Sequence, residues 1–221
     1  MKDADLVAEA ALRELGPVDT WKAPSGYPDS LALCIIDSVF SLRVKYTAVE
    51  HVVAAYRAAR AAQGGAADTD GTPELVEAIA TAGGPESASV TLFNNRGLAP
   101  GTKALKSTAV ANGAASLLGA GILTASQFKD AIATSDASRL RGTWLGVAGL
   151  GPASWNYLAM LTGADDVKAD TWIIRYVSRV VGERTTPQRA AGAVKDAARA
   201  LHVPATLLDH RIWRYESGRD A

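Results

Sequence analysis

Cysteine occurs once in this chain, at Cys34, and a single thiol excludes an internal disulfide, a four-cysteine cluster and a cysteine-based zinc site. Histidine is scarce too. His51, His202 and His210 are too scattered to suggest a metal centre, so neither a metal nor another cofactor is expected. Charge of one sign is not in excess: 23 basic residues face 23 acidic ones, which weighs against a partner gripped by bulk electrostatics. No apolar run is long enough to cross a bilayer, and the start Met1-Lys2-Asp3-Ala4-Asp5 lacks the apolar core of a signal peptide. The expectation is a cytoplasmic monomer without membrane attachment. Phosphate-loop and Rossmann fingerprints are missing as well.

What is present is helical periodicity. Two-residue alternation persists nowhere, so the fold class expected is all-α, with about ten or eleven helices. Asp3 can cap a first helix with Leu6, Val7, Ala10, Ala11 and Leu15 inward, stopped by Gly16-Pro17. Ser30 to Phe40 is apolar on nearly every side, which marks a central buried helix; a short strand is the competing reading. Asp37 and Ser38 are its only polar interior positions. Thr47 and Glu50 fit a capping box, Gln63 to Gly71 reads as a small mobile polar insert, and Thr102 reads as the cap of another helix. Thr124 and Gln127 fit a second box, and a helix over about 136–146 leads into the most informative stretch.

That stretch runs from Val147 to Tyr176. Gly149-Leu150-Gly151-Pro152 combines two glycines, which tolerate a close approach by another backbone or a phosphate, with a proline suited to the first position of a helix. A tight turn into a helix N-terminus presents free amides and the positive dipole end, a natural anion site. About twenty residues on, Asp170 precedes Thr171-Trp172-Ile173-Ile174-Arg175-Tyr176, a second helix start. Each feature has an ordinary structural use: the first as a turn between helices, the second as an N-cap.

Together they resemble a known family. Val147 to Leu158 is similar to the hairpin of the helix-hairpin-helix DNA glycosylases, and Val167-Lys168-Ala169-Asp170-Thr171-Trp172 resembles the V-D-T-H segment that carries their catalytic aspartate. Leu208 to Tyr215 is similar to their closing helix; the likeness is tight over about 147–180 and loose elsewhere. The resemblance implies a two-lobed fold, one lobe from residues 1–27 with 166–221 and the other from 28–165, with Asp170 and the hairpin at the cleft. It implies double-stranded DNA as partner, Asp170 as the catalytic carboxylate, and Gly149, Leu150, Gly151 and Ser154 as the phosphate-binding hairpin. Tyr27, Asp37 and Trp172 would line the base pocket. Val39 or Phe40 would be the apolar wedge, against the plainer reading that both are core.

The departures carry information. Ala153 stands where bifunctional members carry a Schiff-base lysine, and a single cysteine rules out the iron–sulfur cluster of some relatives. The implied activity is monofunctional hydrolysis of the N-glycosidic bond of a damaged or modified base, in repair or in defence against phage DNA. A non-catalytic hairpin that only grips DNA backbone is the alternative. For a basic face the candidates are Arg96, Lys103 and Lys106, in a run without acids, and Lys168 and Arg175.

Overall fold

A computed structural model describes residues 2–219, and within them the chain is all-helical: twelve α-helices, two short 3-10 turns and no strand. None of these helices is long and apolar enough to cross a membrane. The chain divides into two compact units, one from residues 26–163 and the other from residues up to 25 with those from 164 on.

The 26–163 unit is built around α2 (Leu31–Phe40), buried at every position. A helix apolar all round has no face to offer water and must be enclosed. It is enclosed by α3 (Tyr46–Ala62), α4 (Thr72–Thr81), α6 (Lys106–Gly119), α7 (Ala125–Ile132) and α9 (Pro152–Leu161). Ser30 caps α2, accepting the Leu33 amide at 3.2 Å and donating to Ala67 O at 2.7 Å. Residues 63–71, expected to be mobile, are instead pinned: Asp70 is buried, paired with Arg60 at 2.6 Å and bonded by the Tyr56 hydroxyl at 2.8 Å. Two caps differ from expectation. Lys45, not Thr47, precedes α3, and α6 starts at Lys106 because Thr102 folds into a tight turn, donating to Ala99 O at 3.0 Å. The remaining helices are α5 (Pro85–Thr91) and α8 (Ala137–Leu145).

The second unit packs α1 (Asp3–Glu14) and α12 (Ala205–Glu216) against α10 (Thr171–Val181) and α11 (Pro187–Ala200). Val7, Ala11 and Leu15 meet Ile173, Tyr176, Val177, Val194, Ala197, Leu208 and Ile212 in one core. Each large aliphatic enclosed there contributes about 1.5–3 kcal/mol. This core holds the first turn of α10, and so Asp170, in place.

Candidate functional site

The hairpin lies between α8 and α9, in the 26–163 unit. Trp144 is fully buried against Gly113 of α6, where an added Cβ would come within 2.9 Å of its ring. Its indole N–H donates to Ser154 Oγ at 3.0 Å, tying α8 to α9. Ser154 Oγ also takes the Gly151 amide at 3.1 Å and donates to Gly151 O at 2.8 Å. Leu150 is buried as the turn's apolar anchor. Gly149 has φ +88°, and a Cβ there would lie 2.6 Å from Ala99 Cβ, so both backbone angle and space demand glycine. Gly151 differs: its backbone is extended and a Cβ would meet nothing within 4 Å. Ala153, in the first turn of α9, has an amide without an intrahelical acceptor, at the positive end of the helix dipole.

The Leu150 and Ser154 side chains hold the hairpin together. The open part of the turn is Gly151 and the start of α9. Arg96 and Lys103 are exposed on the loop whose Ala99 backs onto Gly149, so part of the nominated basic face borders the hairpin. Lys106 does not belong to that face. It is 3% exposed, and its ammonium donates to Phe40 O at 2.8 Å and Leu42 O at 2.7 Å, capping the C-terminus of α2.

Asp37 of α2 is fully buried and gathers tyrosines. The Tyr27 and Tyr46 hydroxyls donate to its Oδ2 at 3.1 and 3.3 Å, and Tyr157 of α9 is hydrogen-bonded to Tyr46. All three rings are part-buried. Burial first, and then the negative charge of Asp37, pushes the Tyr46 phenol up to about 12, the Tyr27 phenol higher still and the Tyr157 phenol well above its ordinary value. Arg57 sits over the Tyr27 ring at 5.7 Å. Tyr46 and Tyr157 escaped the sequence reading, because only the packing of α2 on α9 and α3 brings them to Asp37.

Of the two readings of Val39 and Phe40, wedge or core, the structure supports core. Val39 is 0% and Phe40 2% exposed, and Phe40 packs on Phe93 with ring centroids 5.2 Å apart, so both are core. The exposed residues lie just beyond: Arg43, in the left-handed region at φ +58°, then Val44, 44% exposed, and Lys45. Lys106 steadies this step by binding the carbonyls of Phe40 and Leu42 ahead of it.

In the other unit Asp170 is the N-cap of α10. Its Oδ1 accepts the Trp172 amide at 2.8 Å and the Ile173 amide at 3.3 Å; no hydrogen bond among the described residues takes its Oδ2. Burial raises its carboxyl above the ordinary value, against the charge of Lys168 and the two amides, which pull it down. Nearby Asp209 of α12 is 5% exposed and accepts the Lys168 amide at 3.0 Å; burial, then the charge of Asp170, pushes it well above the carboxylate range. Lys168 is part-buried in this acid-rich turn. Arg175 is exposed but engaged, its guanidinium on Glu216 at 2.5 Å and 4.5 Å above the part-buried Trp172 ring. Glu216 therefore offsets the charge Arg175 would bring to a phosphate, and the guanidinium covers one face of the Trp172 ring.

Residues 5–217 match the model of a family described as a domain of unknown function (DUF8548), and the chain belongs to that family. No curated protein and no solved structure matches it.

Proposed function

We propose that this protein is a monofunctional DNA glycosylase, hydrolysing the N-glycosidic bond of a damaged or otherwise modified base flipped out of double-stranded DNA. The observation that carries the reading is the state of Asp170. One oxygen is fixed by two helix amides and the other is left without a hydrogen bond among the described residues, so the carboxylate is oriented without being used up. Breaking an N-glycosidic bond builds positive charge on the deoxyribose. A fixed carboxylate stabilises that charge and orients the water whose oxygen bonds to the anomeric carbon. The water's proton leaves with the departing base, and the strand keeps an abasic sugar.

Other features of the geometry support the reading. The open Gly151 position and the Ala153 amide at the start of α9 suit a phosphate, and Lys103 is exposed on the loop whose Ala99 backs onto Gly149. The part-buried tyrosines around Asp37 suit an extruded base, which is read by stacking and by hydrogen bonds to its edge. The step at Arg43 and Val44 replaces Val39 and Phe40 as the source of a wedge. Ala153 offers no amine, so no lyase step runs through that position.

The test is incubation with duplexes bearing alkylated, oxidised, mismatched and phage-type hypermodified bases, followed by heat and alkali to cut at abasic sites. The expected result is free base and an intact abasic strand, with no borohydride-trapped adduct. Inactivity on every base would leave the second reading, a hairpin module that only grips DNA backbone. That reading is favoured by one fact: the N-cap geometry alone already accounts for an aspartate at position 170.

A further inference from the structure

Asp209 is a buried acid that the proposed chemistry leaves without a task. It lies one turn into α12, with its Oδ1 on the Lys168 amide at 3.0 Å. The carbonyl of that same Lys168 accepts the Asp170 amide at 2.6 Å, so the residue gripped by Asp209 is the one on which the Asp170 turn closes. The start of α12 grips the rest of the segment too. Thr206 Oγ1 accepts the Asp166 amide at 3.0 Å, and the Thr206 amide donates to Asp165 Oδ1 at 2.9 Å.

We propose that Asp209 is the positioning residue of Asp170: by holding Lys168 it sets the cap geometry that keeps one oxygen of Asp170 open. This rests on the glycosylase reading. The groups facing Asp209 are Lys168 and Asp166 from the connecting segment and Asp170 at the head of α10. Lys195 of α11 is drawn to the same place, paired with Asp166 at 2.6 Å. Burial and the charge of Asp170 hold the Asp209 carboxyl well above its ordinary range. The oxygen that accepts the Lys168 amide is reproduced by asparagine. Leucine matches the volume and lacks the acceptor.

The experiment compares Asp209→Asn and Asp209→Leu in the full chain, reading excision kinetics and the Asp170 carboxyl titration by carbon NMR. Asp209→Asn is expected to keep the parent's kcat and Asp170 midpoint. Asp209→Leu is expected to displace the midpoint and lower kcat about a hundredfold, the cost of misplacing a reacting group by an ångström, with KM little changed. A folded Asp209→Leu with the parent's midpoint and kcat overturns the proposal, as does an Asp209→Asn that loses as much as Asp209→Leu. If Asp209→Leu does not fold, amide exchange in the parent decides. A protected Lys168 amide that shifts as Asp209 titrates supports the proposal, and an unprotected one overturns it. A parent that excises no base defeats the glycosylase reading, while the titrations and amide exchange still decide this one.

Discussion

Asp37 in the 26–163 unit and Asp170 in the other are both carboxylates withdrawn from bulk water, and they are treated oppositely by their neighbours. Asp37 receives the hydroxyls of Tyr27, from the loop before α2, and of Tyr46, from α3. Among the described residues Asp170 receives only amides of its own helix, both on one oxygen, and it has a second acid nearby. A buried charge is tolerated only when hydrogen-bonded. The first arrangement spends the carboxylate on holding tyrosines in place, which suits recognition. The second keeps the carboxylate rigid and partly unspent, which suits chemistry.

The largest effect expected from this contrast is on the reaction itself. Asp170→Asn keeps the cap, since asparagine caps about as well as aspartate, so fold and DNA affinity should survive. Excision should fall by about 10²–10³-fold or more, as when one preorganised electrostatic contact is removed from a transition state. Asp37→Asn should act mainly on KM, because the residue is assigned to the base and not to the sugar. Single-turnover and steady-state kinetics on both variants sharpen the comparison. An active Asp170→Asn, or an Asp37→Asn with intact KM and lost kcat, breaks it.

Within the 26–163 unit the two hairpin glycines separate structure from binding. Gly149→Val forces a branched side chain to φ +88° and into Ala99, a strain of about 1–3 kcal/mol visible in thermal melts. Gly151→Val meets open space, so stability should hold. Its side chain would occupy the ground a phosphate needs, and affinity should drop about tenfold on every DNA sequence alike, because phosphate contacts carry no sequence information. Unchanged binding by Gly151→Val would place the DNA contact away from this turn.

What was legible in the sequence was local. The apolar run of α2, the turn at Gly149-Leu150-Gly151-Pro152 and the cap at Asp170 each depend on residues within a few positions, and their pattern survives into the fold. What was illegible depends on partners far along the chain. Lys106 reads as a surface base until α6 carries it to the carbonyl of Phe40, 66 positions away. Asp209 lies 41 positions from Lys168, whose amide it holds, and nothing in the LDHR run signals that meeting. For Val39 and Phe40 the plainer of the two readings, core, is the one the fold bears out. The apolar run ends at Phe40 as its pattern indicates, and the exposed residues begin only at Arg43.

The smallest effect tests whether Asp37 is felt by its tyrosines at all. Tyr46 is pushed up from an ordinary value of 10.0 to about 12, by burial first and by the charge of Asp37 second. A folded state that holds a proton more tightly than the unfolded chain gains stability that is complete below the unfolded pKa and lost as pH rises through the folded one. For Tyr46 that window runs from 10.0 to about 12, and the parent should lose stability across it in alkaline melts. Asp37→Asn removes the charge and leaves the burial. The Tyr46 midpoint, followed by NMR of a ring-labelled protein, should therefore move down yet stay above 10.0, and the alkaline loss should shrink with it. A midpoint unmoved by Asp37→Asn would mean that the hydroxyl does not sense the carboxylate, and the contrast between the two acids would lose its first term.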